Sequence, residues 1–309
     1  MESGNNVLEV KNLSVSFKMY DKGLEQIDLK VISSLNISVK ENELLAIAGS
    51  SGSGKSLLAD AILGILPDNA SVSGDMLYYN TPLTKERQEK LRGREIALVP
   101  QSVDFLDPLM QTGKQVIGVR GSAEKQKQVF RRYGLKEEVE KMYPFQLSGG
   151  MARRVLVSTA LIGDAKLIVA DEPTPGLSKT MAKEAMGHFR SLADEGRAVI
   201  LITHDIDLAF EYADAVAVFY AGTTVETASA EDFRKGPDAL RHPYSKALWA
   251  ALPQNGFQPI PGTQPYAGSL PKGCLFAPRC SKKTKECTDQ EVIPMRTLRG
   301  GEVCCIHAD

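Results

Sequence analysis

Leu44-Leu-Ala-Ile-Ala48-Gly49-Ser50-Ser51-Gly52-Ser53-Gly54-Lys55-Ser56 is the stretch that decides the fold. Its apolar opening, Leu44–Ala48, reads as a strand buried on both faces. The residues that follow, Ser56–Leu66, carry helical spacing. Between strand and helix stands G-x-x-x-x-G-K-S, a spacing that acquires meaning only in that setting. The glycines let the backbone curl until successive N–H groups point at phosphate oxygens, and the helix start adds a favourable dipole. Lys55 can reach the β- and γ-phosphates, and the Ser56 hydroxyl can ligate Mg²⁺. A glycine-rich turn with a chance lysine would not have both neighbours correctly placed.

Working outward, three more short apolar runs read as buried strands: Ile96–Val99, Leu167–Ala170 and Ala198–Ile202. Helical stretches such as Thr180–Ala193 lie between them. This alternation predicts an α/β fold, a mainly parallel sheet with helices on its faces. The segment Leu8–Phe17 alternates apolar and polar residues, which suggests a half-exposed strand of an antiparallel part. No internal repeat is visible. Asp171-Glu172 closes the third apolar run. Asp171 is suited to contact Mg²⁺ through water, and Glu172 to polarise an attacking water as general base. Acidic pairs at strand ends are common in turns. Placement on a second apolar strand, away from the phosphate loop, is what gives this pair weight.

Composition bounds the rest. The chain has 309 residues, 43% hydrophobic and 24% charged, enough for one large domain or two modest ones. Thirty-seven Lys plus Arg against thirty-eight Asp plus Glu leave a net charge of −1. That balance argues against a protein that holds nucleic acid mainly by electrostatics. No stretch approaches the roughly 18 apolar residues of a membrane helix. The N-terminal MESGNNVLEV lacks the basic and apolar regions of a secretory leader, so an intracellular protein is expected.

Three further motifs make a resemblance specific. Leu147-Ser148-Gly149-Gly150-Met151 resembles the signature motif of the ATP-binding-cassette (ABC) ATPases, and it precedes the Asp171-Glu172 strand at the family's interval. Gln101 matches the family's glutamine loop, and His204, in Leu201-Ile-Thr-His-Asp205, its switch histidine. The resemblance implies an ABC cassette with an antiparallel N-terminal part and a helical subdomain. It makes Gln101 a γ-phosphate and metal sensor, and His204 the partner of the γ-phosphate and Glu172. Ser148, Gly149 and Gly150 would offer N–H donors to ATP held by a second ATPase subunit. Phe17 or Tyr20 would stack on adenine, a plain strand-packing role for Phe17 being the alternative. Two departures stand out. Ser178 occupies a position where the family usually has Asp, which suggests an asymmetric heterodimer with unequal ATP sites, or a neutral substitution. The interval from Gln101 to Leu147 is shorter than usual, and this region should form the helical subdomain that touches membrane subunits.

All five cysteines fall after residue 273: Cys274, Cys280, Cys287, Cys304 and Cys305. In a reducing cytosol such a cluster marks metal binding or catalysis more often than disulfides. From about Arg241 the texture turns to Pro, Gly, Lys and Cys, and an extended tail pinned by something other than a hydrophobic core is expected. The spacing C-x5-C-x6-C followed by the Cys304–Cys305 pair fits neither a common zinc ribbon nor a typical ferredoxin run, and by itself indicates only a generic metal site. Arg241-His-Pro-Tyr-Ser-Lys-Ala-Leu248, Ile260-Pro-Gly262 and Gly273-Cys-Leu-Phe-Ala-Pro-Arg-Cys280 resemble the C-terminal extension of peptide and nickel importer ATPases. This resemblance implies division into a cassette at 1–235, with the helical subdomain at about 102–160, and a Cys-rich extension at 236–309. It implies ATP and Mg²⁺, and a 4Fe-4S cluster or zinc on Cys274, Cys280, Cys287 and Cys305. Cys304 could substitute for Cys305, and His307 is a spare candidate ligand. The implied partners are a second cassette, two transmembrane permease subunits and an extracytoplasmic substrate-binding protein, with no nucleic acid. The implied place is the cytoplasmic face of the cell membrane, peripherally bound.

Overall fold

A computed structural model describes residues 5–20, 23, 25–119 and 121–309; the first four residues of the stretch read for a leader lie outside these. The strands among the described residues are β1 (Asn6–Tyr20), β2 (Gln26–Lys40), β3 (Leu44–Gly49), β4 (Ala70–Tyr78), β5 (Thr81–Pro82), β6 (Ile96–Val99), β7 (Leu167–Asp171), β8 (Ala198–Thr203), β9 (Ala215–Tyr220), β10 (Thr223–Ser229), β11 (Arg296–Leu298) and β12 (Gly301–Val303). They form two sheets, ordered β2-β1-β4-β5 and β11-β12-β10-β9-β3-β8-β7-β6.

In the larger sheet β9, β3, β8, β7 and β6 run parallel. Every residue of β3, β7 and β8 is buried, as continuous apolar runs predict for strands covered on both faces. The crossovers include helices Lys55–Leu63 and Lys179–Asp194, close to the helical stretches expected from spacing. Because these strands are parallel neighbours, their carboxyl ends share one edge. That edge gathers Gly49 at the end of β3, Gln101 after β6, Asp171 at the end of β7 with Glu172 following it, and His204 after β8, where ligands of open α/β sheets bind.

The smaller sheet is antiparallel and starts with the alternating N-terminal segment. Its inner face packs Val10, Leu13, Val15 and Ile32 against Ile47, Leu58 and Phe219. The two sheets approach most closely at the β9–β10 turn. Ser33 N–H donates to the Gly222 carbonyl at 2.8 Å. A Cβ on Gly222 would stand 2.0 Å from the Val31 carbonyl, and its φ is +83°, so only glycine fits. Between β6 and β7, helices Thr112–Ile117, Ala123–Arg132 and Gly149–Leu161 enclose an apolar cluster of their own that includes Val116, Phe130, Val155 and Leu156. No helix among the described residues is long and apolar enough to cross a membrane.

The C-terminal segment corrects one expectation. It is not an extended tail held apart from the core. Leu240, Tyr244 and Phe276 are buried in the main apolar cluster with Phe189, Val218 and Tyr220. Helix Pro243–Ala250 packs there, and β12 pairs with β10, placing Val303 opposite Glu226. These apolar residues are widely separated along the chain and meet partners distant in sequence, so no local periodicity announces them.

Candidate nucleotide site

A cleft opens at the carboxyl edge of the parallel strands. Ser51, Gly52, Gly54, Lys55, Ser56 and Leu57 line it from the phosphate loop, with Gln101, Glu172, His204 and Val31 facing them. Gly54 caps the helix Lys55–Leu63 in the left-handed region, φ +89°, a conformation cheap only for glycine. Gly49 sits where a Cβ would meet the Phe219 carbonyl at 2.5 Å. The Lys55 ammonium folds over the loop and donates to the carbonyls of Gly49 and Ser50, both at 3.0 Å. Burial lowers its pKa, while Glu172 and Asp171 favour the charged form.

Asp171 is buried, and burial pushes its carboxyl pKa up; the Ser56 hydroxyl opposes this and the Glu172 charge adds to it. Its Oδ1 has no hydrogen-bond partner among the described residues. A buried orphan carboxylate oxygen beside Ser56 and Lys55 fits a hydrated Mg²⁺ carrying phosphate. Glu172 is held unusually for a non-glycine, with φ +46°. Its N–H donates to the Ile202 carbonyl at 2.9 Å. Its carboxylate meets His204 Nδ1 at 2.5 Å, so the candidate base and the switch histidine are already paired.

Other expected residues lie elsewhere. The Ser50 hydroxyl turns from the cleft to Gln264 Oε1 at 2.7 Å, and Ser53 Oγ is buried without a partner among the described residues. Phe17 is half-buried against the core of the smaller sheet, and Tyr20 is exposed and accepts from Gln26 Nε2 at 3.0 Å. Val31, rather than either aromatic, lines the cleft. Ser148, Gly149 and Gly150 are not among its lining residues; Ser148 caps the helix Gly149–Leu161 by accepting from Met151 N–H at 3.3 Å.

One residue with a clear positioning geometry was not singled out from the sequence. The buried guanidinium of Arg153 donates to the carbonyls of Pro100 at 3.0 Å, Gln101 at 2.5 Å and Glu172 at 2.5 Å. It therefore fixes the backbone at both the glutamine loop and the candidate base.

In the C-terminal segment Cys274, Cys280, Cys287 and Cys305 line one small cavity, together with His242, Phe276 and His307. Burial pushes the Cys274 thiol up to about 11, with the neighbouring thiols adding to the shift. Cys304 is engaged separately: its thiol donates to the Ile293 carbonyl at 2.8 Å. His307 Nε2 is hydrogen-bonded to Thr284 Oγ1 at 2.9 Å. Among the described residues, no three His, Cys, Asp or Glu side chains are spaced to hold a metal ion. One feature fits an acceptor-rich group in the cavity. His242 Nδ1 accepts from Tyr244 N–H at 3.0 Å, which places the ring proton on Nε2, and that nitrogen is buried without a partner among the described residues. A buried, unpaired N–H on a residue that lines the thiol cavity suits a sulfide or thiolate acceptor.

Parallel strands ending in a phosphate loop, an Asp-Glu pair and a facing histidine define a P-loop ATPase. Residues 32–175 match the family described as "ABC transporter", and residues 225–287 that described as "Oligopeptide/dipeptide transporter, C-terminal region". The chain is 34% identical to the oligopeptide transport ATP-binding protein OppD of Haemophilus influenzae, over 99% of this chain and 98% of that one. It is 33% identical to the dipeptide transport ATP-binding protein DppD of Escherichia coli, over 92% of this chain and 91% of that one. Among solved structures it resembles the dimeric cassette MJ0796, a bacterial ABC transporter cassette, with a TM-score of 0.62 and 26% identity over 72% of this chain and 98% of that one. The chain belongs to the ABC transporter ATPase family, in the branch that carries the oligopeptide/dipeptide transporter C-terminal region.

Proposed function

We propose that this chain hydrolyses ATP to energise the import of peptides. The Glu172–His204 pair beside the phosphate loop supports the hydrolytic role, and the C-terminal region shared with oligopeptide and dipeptide transport proteins supports the substrate class. Loop N–H groups and Lys55 would hold the phosphates of ATP. Ser56, Asp171 and Gln101 would hold Mg²⁺, which neutralises charge on the phosphate oxygens. Glu172 takes the proton of the attacking water, and His204 orients that carboxylate and shares the negative charge that develops.

The cassette would work with a second ATPase subunit. Ser148, Gly149 and Gly150, exposed or half-exposed at a helix N-terminus, would complete the partner's ATP site. Phe17 or Tyr20 would approach adenine once nucleotide and partner are bound. Two permease subunits would form the pore, a substrate-binding protein would deliver cargo, and this chain would sit peripherally at the cytoplasmic face. Nickel is the competing cargo, because the C-terminal sequence is similar to both importer types. Glu172→Gln in the assembled complex should lose turnover, retain bound ATP and stop uptake of labelled peptide while leaving Ni²⁺ uptake unchanged. Unchanged hydrolysis would remove Glu172 as base; loss of Ni²⁺ uptake alone would reassign the cargo.

The four cavity thiols, Cys274, Cys280, Cys287 and Cys305, would hold a 4Fe-4S cluster or zinc, and such a group adds folding energy where local core is sparse. Protein purified without oxygen should be brown, with visible iron–sulfur absorption. Zinc alone by elemental analysis would exclude the cluster.

A further inference from the structure

Ser50 has two faces. On the inner side its carbonyl accepts from Ser53 N–H at 3.3 Å and from Lys55 Nζ at 3.0 Å, bonds that shape the phosphate loop. On the outer side its hydroxyl faces the C-terminal segment. Its hydroxyl donates to Gln264 Oε1 at 2.7 Å. The buried Tyr244 phenol lies close to Ser50; burial raises that phenol's pKa and the proximity of Ser50 pulls it back.

Neither tail residue is loosely placed. Tyr244 is buried, its ring centroid 4.6 Å from that of Tyr220 and 5.3 Å from that of Phe276. The loop bearing Gln264 is pinned just upstream, where the Arg279 guanidinium donates to the carbonyls of Pro261 at 2.7 Å and Ile260 at 2.9 Å. Gln264 thus holds the first serine of the phosphate loop from behind, with the buried Tyr244 packed beside it. A loop that must present several N–H groups at once loses affinity if it samples other conformations when free, because binding must then supply the ordering.

We propose that Tyr244 and Gln264 are positioning residues of the ATP site, holding Ser50 so that the phosphate loop is preformed for nucleotide. The Ser50 hydroxyl serves as the anchor for this clamp rather than as a phosphate ligand. The inference rests on the ATP site described above, and it gives the C-terminal segment a part in nucleotide binding.

The test measures binding of a fluorescent ATP analogue with Mg²⁺ to the full chain, and KM and kcat in the assembled complex. Tyr244→Phe combined with Gln264→Ala should weaken analogue binding and raise KM roughly five- to tenfold, with kcat changed less than about twofold. Ser50→Ala should weaken binding similarly, and adding it to the double variant should cost nothing more. Binding as tight as wild type in the double variant would overturn the proposal. So would a full additional loss from Ser50→Ala, which would mean that the hydroxyl acts on nucleotide directly. A fall in kcat and melting temperature together, with unchanged affinity, would make the contacts merely structural. Gln264→Ala alone, at a half-buried loop position, carries the test if Tyr244→Phe does not fold. Failure of the wild-type chain to bind the analogue would instead reject the ATP site itself.

Discussion

Ser178 is the single residue at which the proposed asymmetry between two ATP sites can be tested. Its hydroxyl accepts from Met181 N–H at 3.4 Å and caps the helix Lys179–Asp194. Aspartate caps as well as serine, and its charge suits a helix N-terminus. Ser178→Asp should therefore leave stability within about 1 kcal/mol of wild type. Any change in turnover then reports on the shared site and not on folding. If loss of the carboxylate has weakened the site formed with the partner, Ser178→Asp raises ATP turnover of the assembled complex. Unchanged turnover would mean that the substitution is neutral. The contrast with Glu172 is instructive. Both residues are visible in the sequence, but the 2.5 Å contact between Glu172 and His204 joins the ends of two neighbouring strands, and no spacing rule reports it.

At the scale of elements, four of the five parallel strands are legible because burial on both faces demands unbroken apolar runs, as in Leu44–Gly49, Leu167–Asp171 and Ala198–Thr203, whereas β9, Ala215–Tyr220, is not among the strands read from the sequence. Their order across the sheet was not legible, since it depends on crossovers and not on local pattern. The helix Gly149–Leu161 shows the same limit more sharply. Its signature residues at the N-terminus were recognised, yet Arg153, one turn in, was passed over. Arg153 shares the buried side of the helix with Leu156 and Val157. A charged residue on an apolar stripe needs buried partners, and that was the available signal. The partners proved to be backbone carbonyls on two other loops, which sequence pattern does not encode. Through Arg153 this one helix links the signature motif at its exposed end to Gln101 and Glu172 in the chain's own cleft.

For the whole molecule, the division into a cysteine-free body and a cysteine-rich tail is real in composition but not in packing. The seam between them is built around Glu226 of β10, which is fully buried. Its carboxylate accepts from the N–H groups of Arg241 at 2.9 Å and His242 at 2.8 Å, and pairs with the Arg241 guanidinium at 3.3 Å. Arg241 reaches Asp232 at 3.0 Å and the Leu298 carbonyl at 2.6 Å, so a single side chain ties the cassette, the start of the C-terminal segment and the β11–β12 hairpin together. Removing one member of a buried pair leaves a charge with too little compensation, at a cost of about 3 kcal/mol. Arg241→Met should lower the melting temperature by roughly 4–6 °C for a protein of this size. Adding Glu226→Gln should recover part of that loss, because the neutral amide no longer needs the guanidinium, although its single oxygen can replace only one of the two carboxylate oxygens that accept from Arg241 and His242. Thermal melts of the single and double variants check this directly. An unmoved melting temperature in Arg241→Met would show the seam to be peripheral to stability. A double variant as unstable as the single one would assign the loss to the guanidinium's bonds with Asp232 and the hairpin carbonyls, and not to the stranded carboxylate.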